Sequence, residues 1–239
     1  MKRFSFFLQE EENLQEGIND PNLFKAIFMA GGPGAGKSFV STKATDVTQG
    51  LKVINSDTAL QFLLSKAGMS KKMIGMTPEE LEKFAQKRAR GRDITAKMKK
   101  LYLNGKLGLI IDSTAEEYKR IVREKKELED AGYDTFMIFV NTSLEVAQAN
   151  NQRRDRVLDP KIVETAWKDV QKNIGRLTNL FKGSFQIVDN DKDEKDPKMI
   201  NVFRRLTRYV KAYLKRPLKS KLAKQWVADR QKLVQKGKS

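Results

Sequence analysis

The sequence predicts an α/β protein, a five-stranded parallel sheet covered by helices on both faces as a three-layer sandwich, and three observations carry that prediction. Five short runs rich in β-branched and aromatic residues alternate with longer stretches of helical periodicity, the pattern of strand–helix–strand units. The 239 residues suffice for one well-packed core with appendages and not for two full-sized domains. A glycine-rich turn follows the first run and opens a helix.

Residues 1–20 carry Phe4, Phe6, Phe7, Leu8 and Leu14 among acids and stop at the turn signal Asn19–Pro21, which makes them an amphipathic appendage ahead of a domain at 21–195. Phe24 to Ala30 is an apolar run broken only by Lys25, too short for a helix before glycine, and therefore a buried strand. The second strand is "KVINSD", Lys52 to Asp57, and the third is "LGLIIDST", Leu107 to Thr114; each carries an aspartate beside small polar residues at its end. Between them, 58–106 is longer than a simple crossover needs and reads as a helical insertion with a capping pair at Thr77 and Glu80. "EEYKRIVREKKELEDAG" puts Ile121, Val122, Lys125 and Leu128 on one helical face and stops at Gly132. Tyr133–Thr142 and Ser184–Asn190 complete the strands, with a lid region at 150–183 between them, and 196–239 is a basic helical tail.

Composition excludes several chemistries. With no cysteine and no histidine, disulfides, the usual zinc sites and any imidazole or thiolate mechanism are out, so catalysis falls to carboxylates, hydroxyls, lysine, arginine or a hard metal ion. There is no membrane-spanning apolar run, and the acidic N-terminus lacks the plan of a secretory signal, which points to a cytoplasmic protein without a membrane partner. The net charge of +17 is concentrated at the end, where Lys198–Ser239 holds fourteen Lys or Arg against the single acid Asp229. Such a block is either a solvated helix surface or a contact for a polyanion, nucleic acid above all, and Tyr209, Tyr213 and Trp226 within it either lie on bases or pack on the sheet.

The turn "GGPGAGKS" has Gly31, Gly36, Lys37 and Ser38 at the spacing of a phosphate-binding loop. Its backbone N–H groups, from Gly31, Gly32, Gly34, Ala35 and Gly36 through Lys37, Ser38 and Phe39, would cradle a triphosphate. Lys37 would reach the β- and γ-phosphates, and the Ser38 hydroxyl would bind Mg2+. Ligands of an open parallel sheet sit beyond the carboxyl ends of its strands, which brings Asp57 and Asp112 to the same place. Asp112 reads as the acid that holds Mg2+ through water, and Asp57 either as a general base for an acceptor hydroxyl or as a helix cap. Arg153, Arg154 and Arg156 in "NNQRRDRVLDP" either supply cations for a lid over the nucleotide or lie on a solvated charged helix, and Trp167 reads as packing.

In these motifs, "GGPGAGKS", "INSD", "LIIDST" and "NNQRRDR" in that order, the sequence resembles the P-loop kinases of the zeta-toxin and polynucleotide 5′-hydroxyl-kinase group, in particular the phage-encoded type. The resemblance covers about Phe24 to Asn190 and implies a P-loop NTPase fold with ATP and Mg2+ as cofactors. It also implies Asp57 as the base and Arg154 and Arg156 as lid cations, with Asn150 standing where related sequences often have arginine. The expected activity is γ-phosphoryl transfer to a hydroxyl of a nucleic-acid end, a nucleotide or a nucleotide sugar, in the cytoplasm of an infected host. A rival reading is a capsid-internal DNA-binding protein that keeps the domain without turnover. "LQEG", Leu14 to Gly17, resembles the cleavage pattern of capsid-targeting leaders, which would package the protein in the virion. Oligomeric state is not legible.

Overall fold

The computed structural model describes residues 20–43, 50–70, 75–154, 157–191 and 196–236. The appendage at 1–20, with its leader pattern, lies outside them except for Asp20. In chain order the elements are β1 (Lys25–Ala30), α1 (Lys37–Lys43), β2 (Lys52–Ile54), α2 (Ser56–Lys66), α3 (Pro78–Asn104), β3 (Leu109–Asp112) and α4 (Tyr118–Asp130). They continue with β4 (Asp134–Asn141), α5 (Leu144–Gln152), α6 (Pro160–Phe181), β5 (Phe185–Asp189), α7 (Pro197–Leu214) and α8 (Lys221–Lys236). All five strands are parallel, in the order β2-β3-β1-β4-β5.

β1 and β4 lie in the middle of the sheet and are buried on both faces, which is why their central residues, Ala26–Ala30 and Phe136–Val140, read as continuous apolar runs. One face packs Ile121 and Leu128 of α4 and Val170, Leu177 and Phe181 of α6. The other packs Val40 of α1 and Leu206, Val210, Tyr213 and Leu214 of α7. The tail's first helix is thus part of the core. Tyr213 stacks on Phe136 at 4.9 Å between ring centroids, and its hydroxyl donates to Asp134 O at 2.6 Å. Trp226 of α8 meets Phe24 edge-on at 5.6 Å. Of the two readings of the tail aromatics, these two rings take the packing one; Tyr209 remains 40% exposed.

At the amino ends of the strands the Lys25 ammonium is buried, donating to Asp134 Oδ2 and to Arg216 O, each at 2.8 Å. This pair and the Tyr213 hydroxyl tie the end of α7 to the sheet. The insertion is two helices, α2 and α3, and α3 crosses α2 closely at Gly91, where a Cβ would stand 3.1 Å from the Leu60 nitrogen. Helix α3 opens with the expected reciprocal cap between Thr77 and Glu80. No helix among the described residues is long and apolar enough to cross a membrane.

Two boundaries differ from the sequence reading. Strand β2 is only three residues long and α2 starts at Ser56, so Asp57 stands in the first turn of a helix rather than at a strand end. The cause is Asn55, whose side chain accepts from the Asp57 N–H at 2.8 Å and starts the helix early. The lid region is also mostly a core helix, because α6 covers Pro160–Phe181 with its apolar face on the sheet.

Candidate active site

The glycine-rich loop is held in place from three directions. Gly34 has φ +77°, and a Cβ there would lie 2.2 Å from Ala147 O, so only glycine lets the loop approach α5 this closely. The Asn150 side chain, also on α5, donates to Gly34 O at 2.8 Å, and Asn190, just after β5, donates to Ala35 O at 3.0 Å. Trp167 of α6 donates from Nε1 to Thr142 O at 2.7 Å and backs Gly32, which is the packing role expected of it. Two helices and a strand end therefore fix a loop that has few side chains of its own.

Lys37 opens α1, half-buried, with its ammonium donating to Gly31 O at 2.8 Å and Gly32 O at 3.3 Å. Ser38 is exposed in the same turn. The Phe39 ring packs edge-on against Phe203 of α7 at 5.5 Å, so its side chain belongs to the core and only its backbone is left for a phosphate.

Strand register brings the acids to the loop. Met29 of β1 pairs with Asp112 of β3, and Ile54 of β2 pairs with Ile111, which puts Asn55 beside Asp112. Asn55 Nδ2 donates to Asp112 Oδ2 at 2.7 Å while its Oδ1 accepts from the Asp57 N–H. One amide thus joins the two sequence-predicted acids. The other Asp112 oxygen, Oδ1, is buried without a hydrogen-bond partner.

Several charged groups act on one another here. Burial lowers the Lys37 pKa; Asp112, Glu116 and Asp57 act against that, and Arg154 acts with it. Burial also raises Asp112, opposed by Lys37 and reinforced by Asp57. Glu116 is raised by burial against the pull of Lys37. Asp57, Asp112 and Arg154 thus lie within electrostatic reach of Lys37, as does Glu116, to which the sequence reading gave no role. Arg154 is exposed just past α5, whereas Arg156 lies outside the described residues. Asn55, Asn150 and Asn190 were also missed as site residues, although "INSD" and "NNQRRDR" contain the first two.

The residues fit magnesium. The buried, unpartnered carboxylate oxygen at the end of β3 and the serine hydroxyl that follows the loop lysine are both hard oxygen donors of the kind Mg2+ prefers. Among the described residues no group of three or more acids gathers into a cage.

Residues 27–177 match a family model described as an AAA domain. The crystal structure of AvrRxo1-ORF1:-ORF2 with ATP is 15% identical, with a TM-score of 0.57 over 78% of this chain and 62% of that chain. The same pair with sulphate ions is 12% identical, with a TM-score of 0.55 over 94% of this chain and 87% of that one. The PezAT chromosomal toxin-antitoxin system of Streptococcus pneumoniae is 14% identical, with a TM-score of 0.54 over 88% and 95%. At these identities the likeness is one of fold. No curated protein matches the chain.

Proposed function

The chain belongs to the AAA domain family, and on that premise we propose that it is an ATP-dependent kinase acting on a hydroxyl of a nucleic-acid end, a nucleotide or a nucleotide sugar. Within the family we assign it to the zeta-toxin and polynucleotide 5′-hydroxyl-kinase group, of the phage-encoded type, a reading supported by the order of its four motifs. The observation that carries the proposal is the placing of Asp112 at the carboxyl end of β3, beside the strand that runs into the phosphate loop, with Asn55 linking it to the turn that carries Asp57.

In this reading the loop N–H groups hold the β- and γ-phosphates of ATP. The Asp57 carboxylate takes the proton of the acceptor hydroxyl as its oxygen bonds to the γ-phosphorus. The bond from that phosphorus to the β–γ bridging oxygen breaks, and ADP leaves with the electron pair. Lys37 and Arg154, with Arg156 from the segment between α5 and α6, offset the charge spread over the transferring oxygens. Ser38 and Asp112 would hold Mg2+, which supplies charge neutralisation across the phosphates when bound. Asn55 orients the Asp112 carboxylate and caps the helical turn that carries Asp57. Where related sequences often have arginine, Asn150 is engaged with the loop carbonyl of Gly34, so the lid works here with one cation fewer.

The test is to incubate the protein with γ-labelled ATP, Mg2+ and a panel of 5′-hydroxyl oligonucleotides, nucleoside monophosphates and UDP-sugars. Label should pass to one acceptor class. Label appearing only as inorganic phosphate across the panel would contradict a kinase.

A further inference from the structure

The two faces of the sheet carry helices of different charge character. On α4 and α6 several exposed cations are matched by acids one turn away, as in Lys126–Asp130 at 2.7 Å, Lys168–Glu164 at 2.6 Å and Lys172–Asp169 at 3.0 Å. Helix α7, on the other face, contains no Asp or Glu at all. Its exposed Arg204, Arg208 and Lys211, continued by Lys215 just past its end, recur at i, i+4, i+7 and i+11, with Arg205 alongside. None of these five has an ion pair among the described residues. At about 1.5 Å rise per residue, the four form a straight row of roughly 17 Å, opposite about five phosphates of one strand at ~3.4 Å each.

We propose that this outer face of α7 is a docking stripe for a nucleic-acid backbone. A row of like charges left unmatched along one helix costs stability through mutual repulsion, and a polyanion relieves it by releasing condensed counterions. A lipid surface fits less well. A membrane-lying helix needs a free apolar face, and that of α7 (Met199, Leu206, Val210, Tyr213 and Leu214) is already spent on the sheet. The exposed Tyr209, one turn from Arg205, offers a ring for a base. The stripe contains no residue of the phosphate loop or of the acids around it, so it stands or falls separately from phosphoryl transfer.

The test is binding of a fluorescent 20-nucleotide single strand, and of its duplex, to the full chain between 50 and 200 mM salt. The stripe variant carries Arg204→Gln, Arg208→Gln, Lys211→Gln and Lys215→Gln. A charge-matched control carries Lys83→Gln, Lys126→Gln, Lys168→Gln and Lys172→Gln. With about 0.7–0.9 counterions per contact, the log–log salt slope of the stripe variant should fall by about 3. Its affinity loss over that salt range then shrinks by roughly 10²-fold. The control should keep the wild-type slope, and both variants should keep the melting temperature and its rise with ATP. The proposal is overturned by any of three results: no binding of the wild type at 50 mM salt, an equal fall in slope in the control, or stripe-dependent binding to vesicles with 30% anionic lipid but not to DNA. DNA binding that depends on the stripe, in a protein that transfers no label, would uphold it while removing the kinase reading.

Discussion

Asn55 is the residue whose replacement most sharply separates the two jobs the structure gives it. Its Oδ1 caps α2 by accepting from the Asp57 N–H, and its Nδ2 donates to the Asp112 carboxylate at 2.7 Å. Asn55→Ala removes both. Loss of an N-cap costs about 1 kcal/mol and loss of a hydrogen bond to a charged group about 1.5–3 kcal/mol, and because Asn55 is only half-buried the lower end applies, a total of about 2–3 kcal/mol. At about 2–4 °C per kcal/mol for a chain of this size, the melting temperature should fall by roughly 4–12 °C. Asn55→Asp keeps an equally good cap but replaces the amide donor with a second carboxylate facing Asp112. On capping alone it should behave like the wild type; with the like-charge contact it should be at least as unstable as the alanine variant. Thermal melts at neutral pH without nucleotide distinguish these cases. If the aspartate variant melts with the wild type, the link from Asn55 to Asp112 contributes nothing and the description of the site is wrong.

Three further outcomes follow from named contacts. Lys37→Ala should abolish the rise in melting temperature that ATP produces, since the loop loses the cation its motif places on the β- and γ-phosphates; an undiminished rise would refute the loop assignment. Asp134→Ala strands the buried Lys25 ammonium with only Arg216 O, which should cost about 3–5 kcal/mol in denaturant melts, against near-neutrality if the pair were superficial. Trp226→Ala removes the edge contact with Phe24 and should lower stability by about 2 kcal/mol without changing the salt dependence of DNA binding; a flattened slope would instead place that ring on a base.

Much of the sheet was legible because its strands are short apolar runs punctuated by glycine or aspartate, and β1 and β4, buried on both faces, carry polar residues only at their ends. The start of α2 was misread for a local reason: "KVINSD" looks like a strand to its end unless Asn55 is taken as a cap, and propensity does not distinguish the two. The loop lysine and Asp112 were legible as a motif and as a strand end. The asparagines that brace them were not, because their partners lie across the chain: Asn150 is 116 residues from Gly34, and Asn190 is 155 from Ala35. Only the β2–β3 register sets Asn55 against Asp112, and register is a tertiary fact. The tail showed its charge in the sequence but not its division of labour. Tyr213 lies under the sheet while Arg204, Arg208, Lys211 and Lys215 line the outside of the same element.

The central claim, a kinase with Asp57 as its base, is tested most directly by single-turnover label transfer from ATP with wild-type protein and Asp57→Asn, alongside ATP affinity for each. The substitution keeps side-chain shape, and the cap at Asn55 uses the Asp57 backbone N–H, so α2 is undisturbed. The account predicts ATP affinity unchanged within about twofold and a transfer rate lower by roughly 10²-fold or more, as for removal of a positioned base. An unchanged rate, or equal losses in binding and rate, would contradict it and leave Asp57 a structural residue of the α2 turn.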